Sequence, residues 1–226
     1  MKLSYIPPLI ALIATSGAIA SPTDYVEVGY NTLKIDGMSV IKPSGYGVAI
    51  NKNFDSFYIT AGYHTSDDSF ENSNLYEDAY YKQTENEKYT LSFSQTEIGI
   101  GKIFNISETS TIDIVGSYTN FKVKNKVAVR YKYESVYGDV DDFSKVYNEN
   151  STSDLFTIEA VHNKTFGNVT TRLGLGFERI QDQESENNLV YLAELSYAFT
   201  DNLSTNVKYR NADEYYTLGA YIQYTF

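Results

Sequence analysis

The sequence has no cysteine, which excludes a disulfide framework, a thiolate metal site and a thiol nucleophile. Tryptophan is also absent, and only two histidines, His64 and His162, occur in 226 residues. Proline numbers four, few enough to leave long strands unbroken. Basic residues are in deficit, 18 against 29 acids, for a formal net charge of −11. That imbalance excludes a nucleic-acid reader that works by neutralising phosphates. After the first twenty residues no apolar run approaches the roughly 20 residues a helical membrane span requires. What the chain holds in quantity is aromatic: 22 Tyr and 12 Phe. Tyrosine suits a strand with an apolar body and one wet end, as at a membrane–water interface.

The first twenty residues read as an export signal. Lys2 supplies a positive charge, residues 6–13 are apolar around Pro7 and Pro8, and Ala18-Ile19-Ala20 is a small-x-small cleavage pattern. Residues 6–20 are too few for a membrane anchor. The expected organisation is therefore a cleaved signal over 1–20 and one domain over 21–226. Loss of Lys2 takes the net charge to −12.

The remainder alternates with a period of two, again and again, as strands do. One face carries Val26, Val28 and Tyr30, then Tyr46, Val48 and Ile50, then Ile98 and Ile100, then Ile112 and Ile114. The pattern continues to a last strand with Tyr216, Leu218, Ala220, Ile222, Tyr224 and Phe226 on one side. The opposite face is rich in Gly, Ser, Thr and Asn, small groups suited to a crowded interior. An apolar face with aromatics near its ends, set against a small polar face, describes a closed barrel in lipid better than a soluble sandwich. Connections also alternate in length. Short turns are expected at 51–56, 105–109, 163–168 and 200–202, and long polar loops at 35–44, 66–87, 125–152, 180–187 and 211–214. The expected fold is all-β, a closed antiparallel transmembrane barrel of about ten strands, with eight as the alternative.

With that pattern in hand, the chain resembles the small monomeric outer-membrane β-barrels of Gram-negative bacteria, the OmpA/OmpX-like and porin-like group. The terminal strand carries the resemblance most closely, because it alternates aromatic and apolar residues and ends on Phe226. The resemblance implies residence in the outer membrane and a monomeric state. It also implies periplasmic chaperones and the barrel-assembly machinery as partners during biogenesis, with Tyr224 and Phe226 as the assembly signal. The best-known members have eight strands, whereas ten are counted here.

Three groups of residues invite functional readings. Strand parity turns Glu159, Arg172, Glu194 and Lys208 inward on successive strands, with Glu159 expected opposite Arg172 and Glu194 opposite Lys208. Arg172 opposite Glu194 would complete a ladder of alternating sign, which lowers the cost of burying each charge. Inward Glu27, Asp113, Glu178 and Arg210 would extend it. The second group is a run of bases, Lys122, Lys124, Lys126, Arg130 and Lys132, joined by Lys88 expected opposite Lys126. These form an outward stripe above the apolar belt where lipopolysaccharide phosphates lie. In the same register Phe93 faces Phe121, Leu91 faces Val123, and this hairpin can extend beyond the membrane. The third group is the five long loops, which hold eighteen acids against six bases. The acids read first as solvation, with weak divalent-cation binding as the sharper alternative. Asp139, Asp141 and Asp142 lack the glycine and terminal Glu of a calcium loop, and neither a metal site nor a cofactor is expected. The two histidines match no catalytic spacing, and no enzyme is expected. The reading is a narrow passive pore or an envelope-structural barrel. The alternative is a surface-interaction protein acting through 66–87 and 125–152, with an enzyme a distant third.

Overall fold

A computed structural model describes residues 23–35, 41–135, 137–181, 185–213 and 215–226. The expected export signal lies outside the described residues. Ten strands follow one another: β1 (Tyr25–Ile35), β2 (Ser44–Phe54), β3 (Phe57–Glu77), β4 (Tyr81–Ser107), β5 (Ser110–Ser135), β6 (Val140–Phe166), β7 (Val169–Gln181), β8 (Ser185–Ala198), β9 (Leu203–Ala212) and β10 (Tyr215–Thr225). Each pairs antiparallel with its chain neighbours, and β1 pairs with β10 to close the ring. The barrel has ten strands, and closure leaves no unpaired sheet edge within the belt.

Alternation does what the pattern requires. Val28, Tyr46, Ile50, Ile98, Ile114, Leu175 and Ile222 are exposed on the outer surface, where lipid is the solvent. Glu27, Asn51, Asp113, Asn163, Glu178 and Asn206 are buried inside. Glycine admits large rings to the lumen where strands would otherwise crowd them. A Cβ on Gly101 would lie 2.2 Å from the ring of Tyr58, and one on Gly47 would lie 2.2 Å from Nδ1 of His64.

Three of the four short turns are tighter than expected, while the turn at 200–202 keeps the expected register, with Phe199 hydrogen-bonded to Leu203. Phe54 pairs with Phe57 and Phe166 with Val169, leaving two-residue turns in which Asp55 (φ 59°) and Gly167 (φ 58°) adopt the left-handed conformation. Asn-Phe-Asp and Phe-Gly-Asn are compatible with several loop lengths, so turn residues alone leave the register open. On β4 and β5, Ser107 pairs with Ser110 beside an irregularity between Asn105 and Ser107.

The largest correction concerns the expected loops 66–87 and 125–152: residues 66–77, 81–87, 125–135 and 140–152 are strand. β3, β4, β5 and β6 run for 21, 27, 26 and 27 residues, while the other six strands have 10 to 14. The last partner of β3 on β2 is Asp67, and the last partner of β6 on β7 is Asp154. Beyond those points the four strands continue as a sheet of their own, here termed the wing, for roughly 30–45 Å at about 3.3 Å per residue. Within it, β4 pairs with β3 and β5, and β5 with β6, without a register break.

Candidate functional site

The lumen is crossed by paired charges in two clusters. In the first, Arg172 lies opposite Glu194, with Nη1 to Oε2 at 3.1 Å, and its Nε donates to Oδ1 of Asn163 at 2.8 Å. Glu194 lies opposite Lys208, whose ammonium turns to Glu27 on β1 and donates to both carboxylate oxygens at 2.5 and 2.7 Å. In the second, Arg210 bridges Glu178 at 2.8 Å and Glu159 at 3.4 Å, and the Tyr215 hydroxyl donates to Glu178 at 3.0 Å. Glu159 is thus not opposite Arg172. It faces Gly176, because the β6–β7 turn sits at residues 167 and 168. The single ladder becomes two clusters, and Glu159 is paired by Arg210 on β9.

Below these clusters the lumen closes on packed polar groups. Asn163 donates to Thr111 at 2.9 Å and Thr111 donates to Asp113 at 3.2 Å, with all three buried and Tyr58 beside Gly101 nearby. Towards the wing, Leu33, Ser66 and Phe93 pack about a small void. Between lies a cavity of about 230 Å³. Its bases, Arg172, Lys208 and Arg210, stand on β7 and β9. The facing wall is small and polar, with Ala49, Gly62 and Ser117. Glu97 on that wall escaped the sequence reading, although its parity with Gly99 and Gly101 marks it as inward. Among the described residues it makes no ion pair, and the lumen holds six carboxylates (residues 27, 97, 113, 159, 178 and 194) against three bases.

The histidines are separate from these acids. Asn31 and His64 are 3.1 Å apart in the lumen. His162 is exposed on the outer surface, 2.8 Å from the hydroxyl of Ser110.

Lys122, Lys124, Lys126, Arg130 and Lys132 are all exposed on one face of β5, and Lys88 shares that face on β4. No bulge occurs near Thr119 to turn them inward. The register differs by two from the expected one: Lys88 faces Ala128, Leu91 faces Asn125 and Phe93 faces Val123. An even shift preserves faces, so the stripe survives the tighter turn. Arg130 pairs with Asp142 at 2.5 Å, Lys88 with Glu71 at 3.0 Å, and Lys132 with Glu134. The Arg130 hydrogen bond holds the Asp142 carboxyl below its ordinary range. Lys122, Lys124 and Lys126 lie between Ser94, Ser92 and Thr90 on one side and Thr152, Asn150 and Asn148 on the other. Among the described residues they have no acidic partner.

At the other end of the chain, Tyr224 faces Val26 across the closing seam, and Tyr224 and Phe226 are both exposed on the outer surface. The Phe226 amide donates to the carbonyl of Asp24 at 3.0 Å.

No family model and no curated relative matches this chain. Solved structures do. The outer-membrane protease OmpT of Escherichia coli aligns with a TM-score of 0.52 at 10% identity, covering 93% of this chain and 99% of that one. The KdgM porin in complex with disordered oligogalacturonate aligns at 0.39 and 14%, covering 88% and 99%. Ail, the attachment invasion locus protein of Yersinia pestis, in complex with the heparin analogue sucrose octasulfate, aligns at 0.36 and 15%, covering 90% and 97%. The OmpT alignment shows the fold, a closed β-barrel shared with an outer-membrane protein, and the three neighbours differ in what their names say they do.

Proposed function

We propose that this outer-membrane β-barrel is a surface-interaction protein whose working element is the wing. One observation carries the reading: β3–β6 have 21 to 27 residues, where a tilted transmembrane strand needs roughly 9–11. Residues beyond the bilayer contribute nothing to spanning it, and ordering each costs on the order of 1–2 kcal/mol of backbone entropy. The narrow lumen, crossed by ion pairs, supports the same view, since wide aqueous channels need about sixteen strands. On the outer face, Lys88, Lys122, Lys124, Lys126, Arg130 and Lys132 form the side of the wing that meets lipopolysaccharide phosphates. The test compares the full chain with a barrel whose two long hairpins are cut back to the level of Asp67 and Asp154. Both are refolded and probed on arrays of peptides and glycans. The full chain retains at least one ligand class that the trimmed barrel loses; identical profiles overturn the reading.

A second reading, a narrow cation-preferring conduit, is favoured by the central cavity and its excess of carboxylates. Planar-bilayer recording separates the two. Cation-selective openings shared by the full and trimmed forms support the conduit, and silence from both leaves the wing as the functional part.

A further inference from the structure

We infer that the inner face of the wing, the face continuous with the lumen, binds a basic amphipathic peptide segment. This rests on the wing being the binding element, and adds which face acts and on what chemistry. The two faces are sorted with little mixing. Unbroken registers along β3, β4, β5 and β6 keep alternate residues on one side throughout. Within the wing itself every aromatic residue of the four strands falls on the inner side. The outward positions of residues 68–77, 82–94, 120–135 and 140–153 carry none.

Rings touch across strands at several points along this face. Phe70 and Tyr89 stack at 4.5 Å between centroids, Tyr131 and Phe143 at 5.0 Å, and Phe93 approaches Phe121 at 5.9 Å. Near the tip this surface lies open: Phe143 is 42% exposed and Tyr147 56%. No described element covers it.

Charge then selects the occupant. The same inner positions hold Asp68, Glu85, Glu87, Asp141 and Glu149 against a single base, Lys145. Among the described residues none of these five acids makes an ion pair. Glu85 lies directly opposite Tyr131 across β4 and β5, and Glu87 stands two residues from Tyr89 on the same face of β4, which sets carboxylates beside rings. Rings offer apolar area and π-faces to cations. Carboxylates beside them favour Lys and Arg and repel acidic glycans and lipid phosphates. A segment alternating basic and apolar residues satisfies both features; a neutral sugar satisfies only the rings. The wing therefore presents a cation-binding inner face and an anion-binding outer face.

The experiment uses the full chain refolded in detergent without lipopolysaccharide. The probes are fluorescent peptides of alternating Arg and Leu, with Glu–Leu and Ser–Leu counterparts, read by anisotropy. Only the Arg–Leu peptide should bind saturably, more weakly as salt rises. The combined amide variant Glu85→Gln, Glu87→Gln, Asp141→Asn, Glu149→Gln should lose about tenfold or more in affinity. Combined Lys122→Gln, Lys124→Gln and Lys126→Gln should leave it unchanged. Heat-modifiable migration on gels confirms that each variant is a folded barrel. Equal binding of the Glu–Leu peptide, or unchanged binding by the amide variant, overturns the inference. Salt-sensitive self-association that is abolished by the three Lys→Gln changes, without peptide binding, assigns the face to a second copy and equally overturns it. If the array ligands still depend on the wing while the Arg–Leu peptide fails, the interaction reading stands and only this inference falls.

Discussion

Arg172 shows how much one lumen residue carries. It is half-buried, holds Glu194 at 3.1 Å and Asn163 at 2.8 Å, and Lys208, opposite Glu194, turns to Glu27. Arg172→Ala strands a buried carboxylate, so unfolding by denaturant should show a loss of about 3–5 kcal/mol. Glu194→Gln added to that variant should recover part of the loss. If Arg172→Ala instead leaves stability intact and opens a conductance, the residue is a gate. Asp142 plays an opposite part on the wing, where it occupies Arg130. Its lowered pKa means the pair's stabilisation is complete above the ordinary value of 3.8 and is lost as pH falls through the depressed one. Both partners are exposed, so the gain is small. Asp142→Asn should free Arg130 at neutral pH and tighten binding to lipopolysaccharide severalfold, checked by titration with lipopolysaccharide micelles. The inward position of all four expected lumen charges is legible from parity alone. The partner of Glu159 is not, because it depends on a turn whose length the residues 163–168 leave open.

At the scale of the element, β10 and the wing strands differ in how openly the sequence declares them. β10 alternates from Tyr215 to Thr225 with apolar residues on the lipid side throughout, and its end is clear. Phe226 should be required for insertion by the barrel-assembly machinery. Its deletion, or Phe226→Asp, should leave protease-sensitive chain in the periplasm, and normal outer-membrane yield would refute that role. The wing strands hide because their apolar residues change sides where they leave the bilayer. On β5, Ile112, Ile114 and Tyr118 point outward to lipid, whereas Phe121, Val123, Val127, Val129 and Tyr131 point inward. The same switch separates Ile98 and Ile100 from Phe93 and Tyr89 on β4, and Phe156 and Ile158 from Tyr147 and Phe143 on β6. Lipid favours apolar groups outside, and water beyond it does not, so the pattern reverses without any break in the strand. A reading that follows one face alone meets polar residues above the belt and takes them for loop.

Across the whole molecule, a packed barrel anchors a two-faced sheet. The outer face places Lys122, Lys124 and Lys126 just above the lipid belt, free of acidic partners among the described residues. Changing the three to Gln should weaken lipopolysaccharide binding in a salt-dependent manner, with barrel folding intact; equal binding by variant and parent at low salt would refute the assignment. The charge excess of the molecule is legible in the sequence as acidic loops, but its sorting into faces emerges only once those loops become strands. The measurement that bears most directly on the account is the affinity of the trimmed barrel, with both hairpins ended at the level of Asp67 and Asp154, for the ligands that the full chain retains. The account predicts that the trimmed form keeps heat-modifiable migration and loses that binding altogether. A trimmed barrel that folds and binds as tightly as the full chain would contradict it.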